Sequence, residues 1–222
     1  MKTAIVTDTN SSISAKEAQE MGIYLIPMPF FVDGETYLEG KDCTPETFFQ
    51  RMKAGAEIST SQPAPEEITS LWDTLLKTHD AVLHFPMSSG LSGSCHTAKA
   101  LAQEYGGRVT AAGAAMAAVL HIKPVLQIQG GKLDAYKKVR GMLQAKKTLL
   151  EALRHDLATR FSGMKMAVFS GYSGGDPTLG ETWRREVQAA FPDYAVGMIS
   201  LPLSICCHTG EGAVGVACAK LW

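Results

Sequence analysis

Residues 2–22, KTAIVTDTNSSISAKEAQEMG, carry the pattern on which the fold turns. Residues 2–7 are an apolar run that reads as a buried strand, and it ends in the polar turn Asp8, Thr9, Asn10, Ser11, Ser12. Ser14 then stands as the N-cap of a helix over 15–21, with Gly22 as its stop. The same order returns at 81–105: a strand over 81–86, a Ser/Gly loop over 87–94, and a helix to about Tyr105. Strand, helix and strand joined by short loops predict a mostly parallel sheet covered on both faces.

Between these units, residues 24–32 are extended because Pro27 and Pro29 forbid helix. Asp33-Gly34 is a turn, and Pro45 opens a helix through Met52 behind Thr44. A polar loop over 59–63 leads into an amphipathic helix over 65–78, with Ile68, Leu71, Trp72 and Leu75 on one face. The second half has another texture. Residues 111–120 are nearly all Ala, Met, Val and Gly, which reads as a helix without bulk. Gly130-Gly131 between 124–128 and 133–137 signals a hairpin. A long helix spans 141–161, strands at 166–170 and 195–201 flank a helix over 177–191, and 214–219 reads as a last strand. The fold class expected is therefore α/β in two domains: an N-terminal mostly parallel α/β sheet domain (1–105) and a C-terminal α+β domain (106–222), divided near Tyr105–Gly107.

Composition narrows the function. The 222 residues carry 21 Lys+Arg against 22 Asp+Glu, a formal charge of −1. That balance lacks the basic face on which phosphate neutralisation depends, so no nucleic-acid partner is expected. No apolar run approaches the ~18–20 residues of a spanning helix, and Asp8 interrupts the first apolar stretch, which predicts a cytoplasmic protein with at most transient membrane contact. Five cysteines at 43, 95, 206, 207 and 218 show no CxxC spacing, so no metal site is expected.

Three motifs compete for the chemistry. Gly171-Tyr172-Ser173-Gly174-Gly175 fits the G-x-S-x-G of a nucleophile elbow, and Asp193 and His208 follow in the chain order of a hydrolase triad. The plainer reading of the same residues is a strand-to-helix turn with Asp176 capping the helix. Residues 210–215, GEGAVG, fit G-x-G-x-x-G, but only seven residues remain after Gly215, too few for the helix, strand and acidic residue of a dinucleotide site. The third is a set of small polar loops at strand ends: residues 8–12, Thr60-Ser61-Gln62-Pro63, and 88–94 (SSGLSGS). In open α/β sheets ligands lie beyond the carboxyl ends of the strands, where hydroxyls and free helix N–H groups hold an anion.

With these pieces in order, the chain resembles the DegV family of bacterial fatty-acid-binding proteins. The matching segments are 4–13 (AIVTDTNSSI), 32–52 (VDGETYLEGKDCTPETFFQRM), 60–67 (TSQPAPEE), 88–98 (SSGLSGSCHTA), 106–141 (GGRVTAAGAAMAAVLHIKPVLQIQGGKLDAYKKVRG) and 208–217 (HTGEGAVGVA). One piece is missing. The family carries a further strand–helix block between the LSG helix and the GGR segment, and here Tyr105 runs directly into Gly106-Gly107-Arg108.

The resemblance implies a long-chain fatty acid buried in a tunnel between two domains, with no other cofactor. Carried onto this sequence, the carboxylate is expected at Thr60, Ser61, Ser92, the Gly93 N–H, Arg108 and His208. The planar fork of Arg108 suits a carboxylate, and His208 titrates near neutrality. The acyl tunnel is expected along Ala112, Ala115, Met116 and Val119, where small side chains leave room. Burying roughly 14 methylenes at about 0.8 kcal/mol each yields on the order of 11 kcal/mol before ordering costs, so a continuous apolar channel is required. The expected partner is a dihydroxyacetone-kinase-like fatty acid kinase that makes acyl phosphate for phospholipid synthesis. The chain itself has no P-loop, which makes it a non-catalytic lipid-binding subunit in this reading. The alternatives are a serine hydrolase using Ser173, Asp193 and His208, or an interaction protein without a ligand.

Overall fold

The first strand forms one residue further on than its apolar run, because Asp8 continues the pairing. In the computed structural model, which describes residues 1–89, 91–112, 124–129 and 132–221, β1 (Thr3–Asp8) leads through a short 3-10 turn to α1 (Ala15–Met21). Ser14 caps α1 reciprocally with Glu17, and Gly22 ends it in the left-handed conformation. The extended run 24–32 divides in two. β2 (Ile23–Ile26) pairs parallel with β1, whereas β3 (Pro29–Val32) leaves for a separate antiparallel sheet.

That sheet has the order β4-β3-β5, with β4 (Glu35–Leu38) and β5 (Ile58–Thr60) on either side of β3. Here the expectation of a loop over 59–63 is corrected: Ile58, Ser59 and Thr60 pair with Val32, Phe31 and Phe30. Thr60 thus ends an antiparallel strand, not a parallel one. α2 (Pro45–Lys53), capped by Thr44, packs Phe48 and Phe49 onto this sheet.

After α3 (Pro65–Leu75) the chain returns to the first sheet as β6 (Ala81–Phe85), and α4 (Ser94–Ala102) runs on through a 3-10 turn to Tyr105. A strand absent from the sequence reading, β7 (Val109–Ala111), then pairs parallel with β6. The sheet order is β2-β1-β6-β7. One face is sealed: Ala4, Val6, Val82 and Val109 pack with Ile68, Trp72 and Leu75 of α3 and Ala98 of α4. On the other, Ile5 is 40% exposed and Phe85 44%, so the two-sided cover expected of a parallel sheet is incomplete.

In the second half, β8 (Pro124–Gln129) and β9 (Lys132–Lys138) pair antiparallel as the Gly130-Gly131 signal predicts, the two glycines themselves lying outside the described residues. α5 (Gly141–Ala158) and α6 (Pro177–Ala190) pack Leu153, Trp183 and Val187 against β10 (Met166–Tyr172) and β11 (Val196–Ser200). The sheet order there is β11-β10-β12, with β12 (Val214–Lys220) antiparallel to β10.

Another element escaped the sequence reading: α7 (Leu203–Thr209), two turns long. Its Leu203 and Cys206 are buried in one cluster with Phe30, Val32, Phe48 and Phe49. The late helix therefore completes the core of the early antiparallel sheet. Lys53 Nζ to Glu211 Oε2, at 2.8 Å, adds an ion pair across the same seam.

Candidate functional site

The polar end of the parallel sheet is built on Asp8. Its Oδ2 accepts from the Met87 N–H at 2.6 Å and its Oδ1 from the Asn10 N–H at 3.1 Å, so one carboxylate ties the turn after β1 to the loop after β6. Burial raises the Asp8 pKa against the lowering effect of those bonds. Thr9 Oγ1 accepts from the Met28 N–H at 3.0 Å and donates to Glu39 Oε2 at 2.9 Å.

The loop 60–63 is the hub. Thr60 Oγ1 lies 3.0 Å from His208 Nε2, a contact between residues 148 apart in the chain. Two residues on, Gln62 Oε1 accepts from Thr97 Oγ1 of α4 at 3.2 Å. Gly93 sits so close to the same oxygen that an added Cβ would stand 2.7 Å from it. Ser92 Oγ is 2.8 Å from Ser94 Oγ and accepts from the Ser94 N–H at 3.2 Å, which leaves the next N–H groups of the first turn, Cys95 and His96, without intrahelical acceptors. The 60–62 segment is thus tied to Gly93 and Thr97 through Gln62 and to His208 through Thr60, with Ser61 and Ser92 adjacent in the chain to Gln62 and Gly93. Hydroxyls, helix N–H groups and an imidazole together suit a carboxylate or phosphate oxygen.

Arg108 is not brought there. Its guanidinium donates to the carbonyls of Asp80 at 3.4 Å, Leu76 at 3.2 Å and His79 at 3.5 Å. These lie at the C-terminus of α3 and the start of β6, the opposite end of the sheet from the Ser92–Gly93 loop. Arg108 neutralises helix-end carbonyls, the role in which a cation is favoured by the helix dipole. Of the tunnel residues, Ala112 is half-buried and its N–H donates to the His84 carbonyl at 2.9 Å. Ala115, Met116 and Val119 lie outside the described residues.

The hydrolase constellation comes apart. Ser173 is buried, and its Oγ donates to the Gly210 carbonyl at 2.6 Å with Cys206 Sγ at 3.1 Å. Neither His208 nor Asp193 is bonded to it. Burial holds the Cys206 thiol up at about 11, neutral at physiological pH. Asp176 caps α6 by accepting from the Thr178 N–H at 2.9 Å, so the motif is the strand-to-helix turn of the plainer reading. Gly175 accounts for the motif's glycine: a Cβ there would stand 3.2 Å from the Glu46 Cα, so a side chain would push this turn and α2 apart by a few tenths of an ångström.

Sequence reasoning missed Gln62, Asn10, Glu39 and Ser204 as participants. Ser204 Oγ lies 2.7 Å from Asn10 Oδ1 and 3.0 Å from Glu39 Oε2, and Glu39 Oε1 accepts from the Leu203 N–H. Gln62 and Asn10 stand inside polar loops already singled out. Nothing in the sequence separates Glu39 from its neighbours Glu35 and Asp42.

Comparison with known proteins gives a consistent outcome. The sequence model of the DegV family, described as an uncharacterised protein family, matches residues 2–106 and 104–221. A DegV domain-containing protein from Listeria innocua is 24% identical over 279 aligned positions, covering 97% of each chain, and one from Deinococcus radiodurans is 26% identical over 283, covering 100% of this chain and 99% of the other. Since 279 exceeds the chain's 222 residues, at least 57 aligned positions (279 less 222) are gaps in this chain. The two family matches meet at 104–106, where the sequence lacks the expected block. Among solved structures, a DegV family protein from Thermus thermophilus, described for fatty acid binding, superposes with a TM-score of 0.83 at 24% identity, each chain covered in full. A stearic-acid-binding protein from Eubacterium ventriosum gives 0.84 at 16% identity over 97% of both chains. These likenesses establish the fold. Among the described residues, no helix is long and apolar enough to cross a membrane.

Proposed function

Since the chain belongs to the DegV family, we propose that it binds one long-chain fatty acid and presents the carboxylate to a fatty acid kinase for acyl-phosphate formation. The carboxylate sits at Thr60, Ser61, Ser92, the Gly93 N–H and His208, and the tail runs toward the segment that begins at Ala112. The observation carrying this reading is the hub: Thr60 against His208 at 3.0 Å, with Gln62 joining the same loop to Gly93 and Thr97. Ordinary turns and caps account for each loop alone, but not for side chains that tie the 60–62 segment both to the start of α4 and to His208 of α7. Arg108, occupied by three carbonyls at the far end of the sheet, is left out of the head-group set.

The chain's part in the reaction is to hold the tail out of water, align one carboxylate oxygen, and offset its charge with oriented donors. The phosphoryl chemistry belongs to the partner, a dihydroxyacetone-kinase-like enzyme. Native mass spectrometry of the protein purified from bacterial cells tests the first part: a retained mass of one C14–C18 fatty acid is expected, and protein that emerges empty and fails to take up oleate overturns it. Acyl phosphate formed only when such a kinase, ATP and this protein are combined tests the second.

A further inference from the structure

Building on the fatty-acid reading, we infer that Glu39 is a positioning residue: its buried carboxyl holds the start of α7 and so sets the orientation in which His208 meets Thr60. Glu39 is 8% exposed, and among the described residues no Lys or Arg pairs with it. A buried carboxyl without a cation is costly unless donors surround it. Here they come from two distant segments: Thr9 Oγ1 from the end of β1, and the Leu203 N–H and Ser204 Oγ from the first turn of α7, 164 residues away.

α7 needs this support. Its N-cap residue is Pro202, whose side chain offers no acceptor, and no side-chain cap is made. Two turns of helix do not hold themselves in water. Glu39 supplies the missing acceptor, and a carboxyl oxygen at a helix N-terminus also meets the favourable end of its dipole. Ser204 and His208 are four residues apart and share one face of α7. Fixing Ser204 against Glu39 and Asn10 therefore fixes the angle at which His208 leaves the helix.

Counting protons shows what kind of latch this is. Ser204 has one hydroxyl proton, yet its oxygen lies within hydrogen-bond distance of both Asn10 Oδ1 and Glu39 Oε2. Both contacts are satisfied in either of two ways: the Asn10 amide is turned so that Nδ2, otherwise unpartnered among the described residues, donates to Ser204 and Ser204 donates to the Glu39 carboxylate, or Glu39 carries a proton and donates to Ser204, which donates to the Asn10 carbonyl. Burial raises the Glu39 pKa, in the direction the second arrangement needs. A glutamine at 39 keeps both contacts to α7, its amide donating to the Ser204 hydroxyl and its carbonyl accepting from the Leu203 N–H, while the Thr9 hydroxyl loses the acceptor it has in Oε2.

The experiment compares Glu39→Ala, Glu39→Gln and Ser204→Ala with the natural chain, using two readouts. One is the nuclear Overhauser contact between the His208 ring and the Thr60 methyl, with hydrogen exchange of the α7 amides. The other is the oleate Kd. Glu39→Ala is expected to lose the ring contact and weaken oleate about tenfold, Ser204→Ala to weaken it about threefold, and Glu39→Gln to recover the contact and bring Kd within about twofold. A retained contact and unchanged Kd in folded Glu39→Ala overturns the inference, as does Glu39→Gln failing like the alanine. If Glu39→Ala does not fold, Ser204→Ala decides, and an unaltered His208 contact there overturns it. Should the natural chain bind no oleate, the fatty-acid reading falls, while the ring contact still judges the latch.

Discussion

The two ends of the parallel sheet are made from the same three kinds of element and do opposite things. At the carboxyl end, strand tips, a glycine-serine loop and a helix N-terminus present donors: the Cys95 and His96 N–H groups have no intrahelical acceptor, and Gln62, in the segment that carries Thr60, joins the start of α4. At the other end, a cation and a helix C-terminus cancel each other, Arg108 on the carbonyls of Leu76, His79 and Asp80. Helix polarity dictates the difference, since in a parallel sheet every connecting helix points its N-terminus toward the strand ends it follows. An arginine is therefore no guide to an anion site until its carbonyl neighbours are known.

The largest expected effect lies just beneath the carboxyl end. His84 on β6 is buried against Trp72, with both ring nitrogens unbonded among the described residues. Burial lowers its pKa to about 4 from an ordinary 6.5. The native chain refuses a proton that the unfolded chain accepts, so stability is full above pH 6.5 and falls as pH drops toward 4, by about 3 kcal/mol. Urea midpoints at pH 7.5 and 4.5 check this, and His84→Leu is expected to flatten that part of the pH dependence. Next come Thr60→Val and His208→Ala, each expected to raise the oleate Kd about tenfold, roughly 1.4 kcal/mol, by isothermal titration. Their double variant should cost less than the sum, because each removes the other's partner. The smallest effect sharpens the contrast most: Arg108→Ala is expected to lower stability by under about 1 kcal/mol and leave the oleate Kd unchanged. A lost affinity there would break the distinction between the two ends.

Periodicity and caps made the main elements legible. Ser14, Thr44 and Asp176 each cap the helix that the sequence assigns to them, because a cap is a local hydrogen bond. The resemblance brought Thr60, Ser92, Gly93 and His208 into consideration; the structure sets Thr60 against His208 and Gly93 against Gln62. What stayed hidden is tertiary. β5 and β7 are three residues each, too short for a period, and are strands only because Phe30–Val32 and Val82–His84 lie beside them. α7 carries neither a cap residue of its own nor a clear stripe, and depends on Glu39 and the Phe30–Phe48 cluster. The contacts of Arg108 were hidden because the motif specifies a residue type, while its partners are carbonyls at and beyond the end of α3.

The turn that joins α4 to β7 has a practical consequence. Gly106 and Gly107 are exposed with φ of +56° and +82°, and the Arg108 N–H closes the turn on the Tyr105 carbonyl at 3.0 Å. Relatives align with at least 57 more positions than this chain possesses, and the family matches break at this point. Such a tight, solvent-facing bend is a splice point, able to accept extra polypeptide without unpicking the sheet. A fluorescent reporter grafted between Gly106 and Gly107 would hang from the edge of the domain, far from the loops around Thr60.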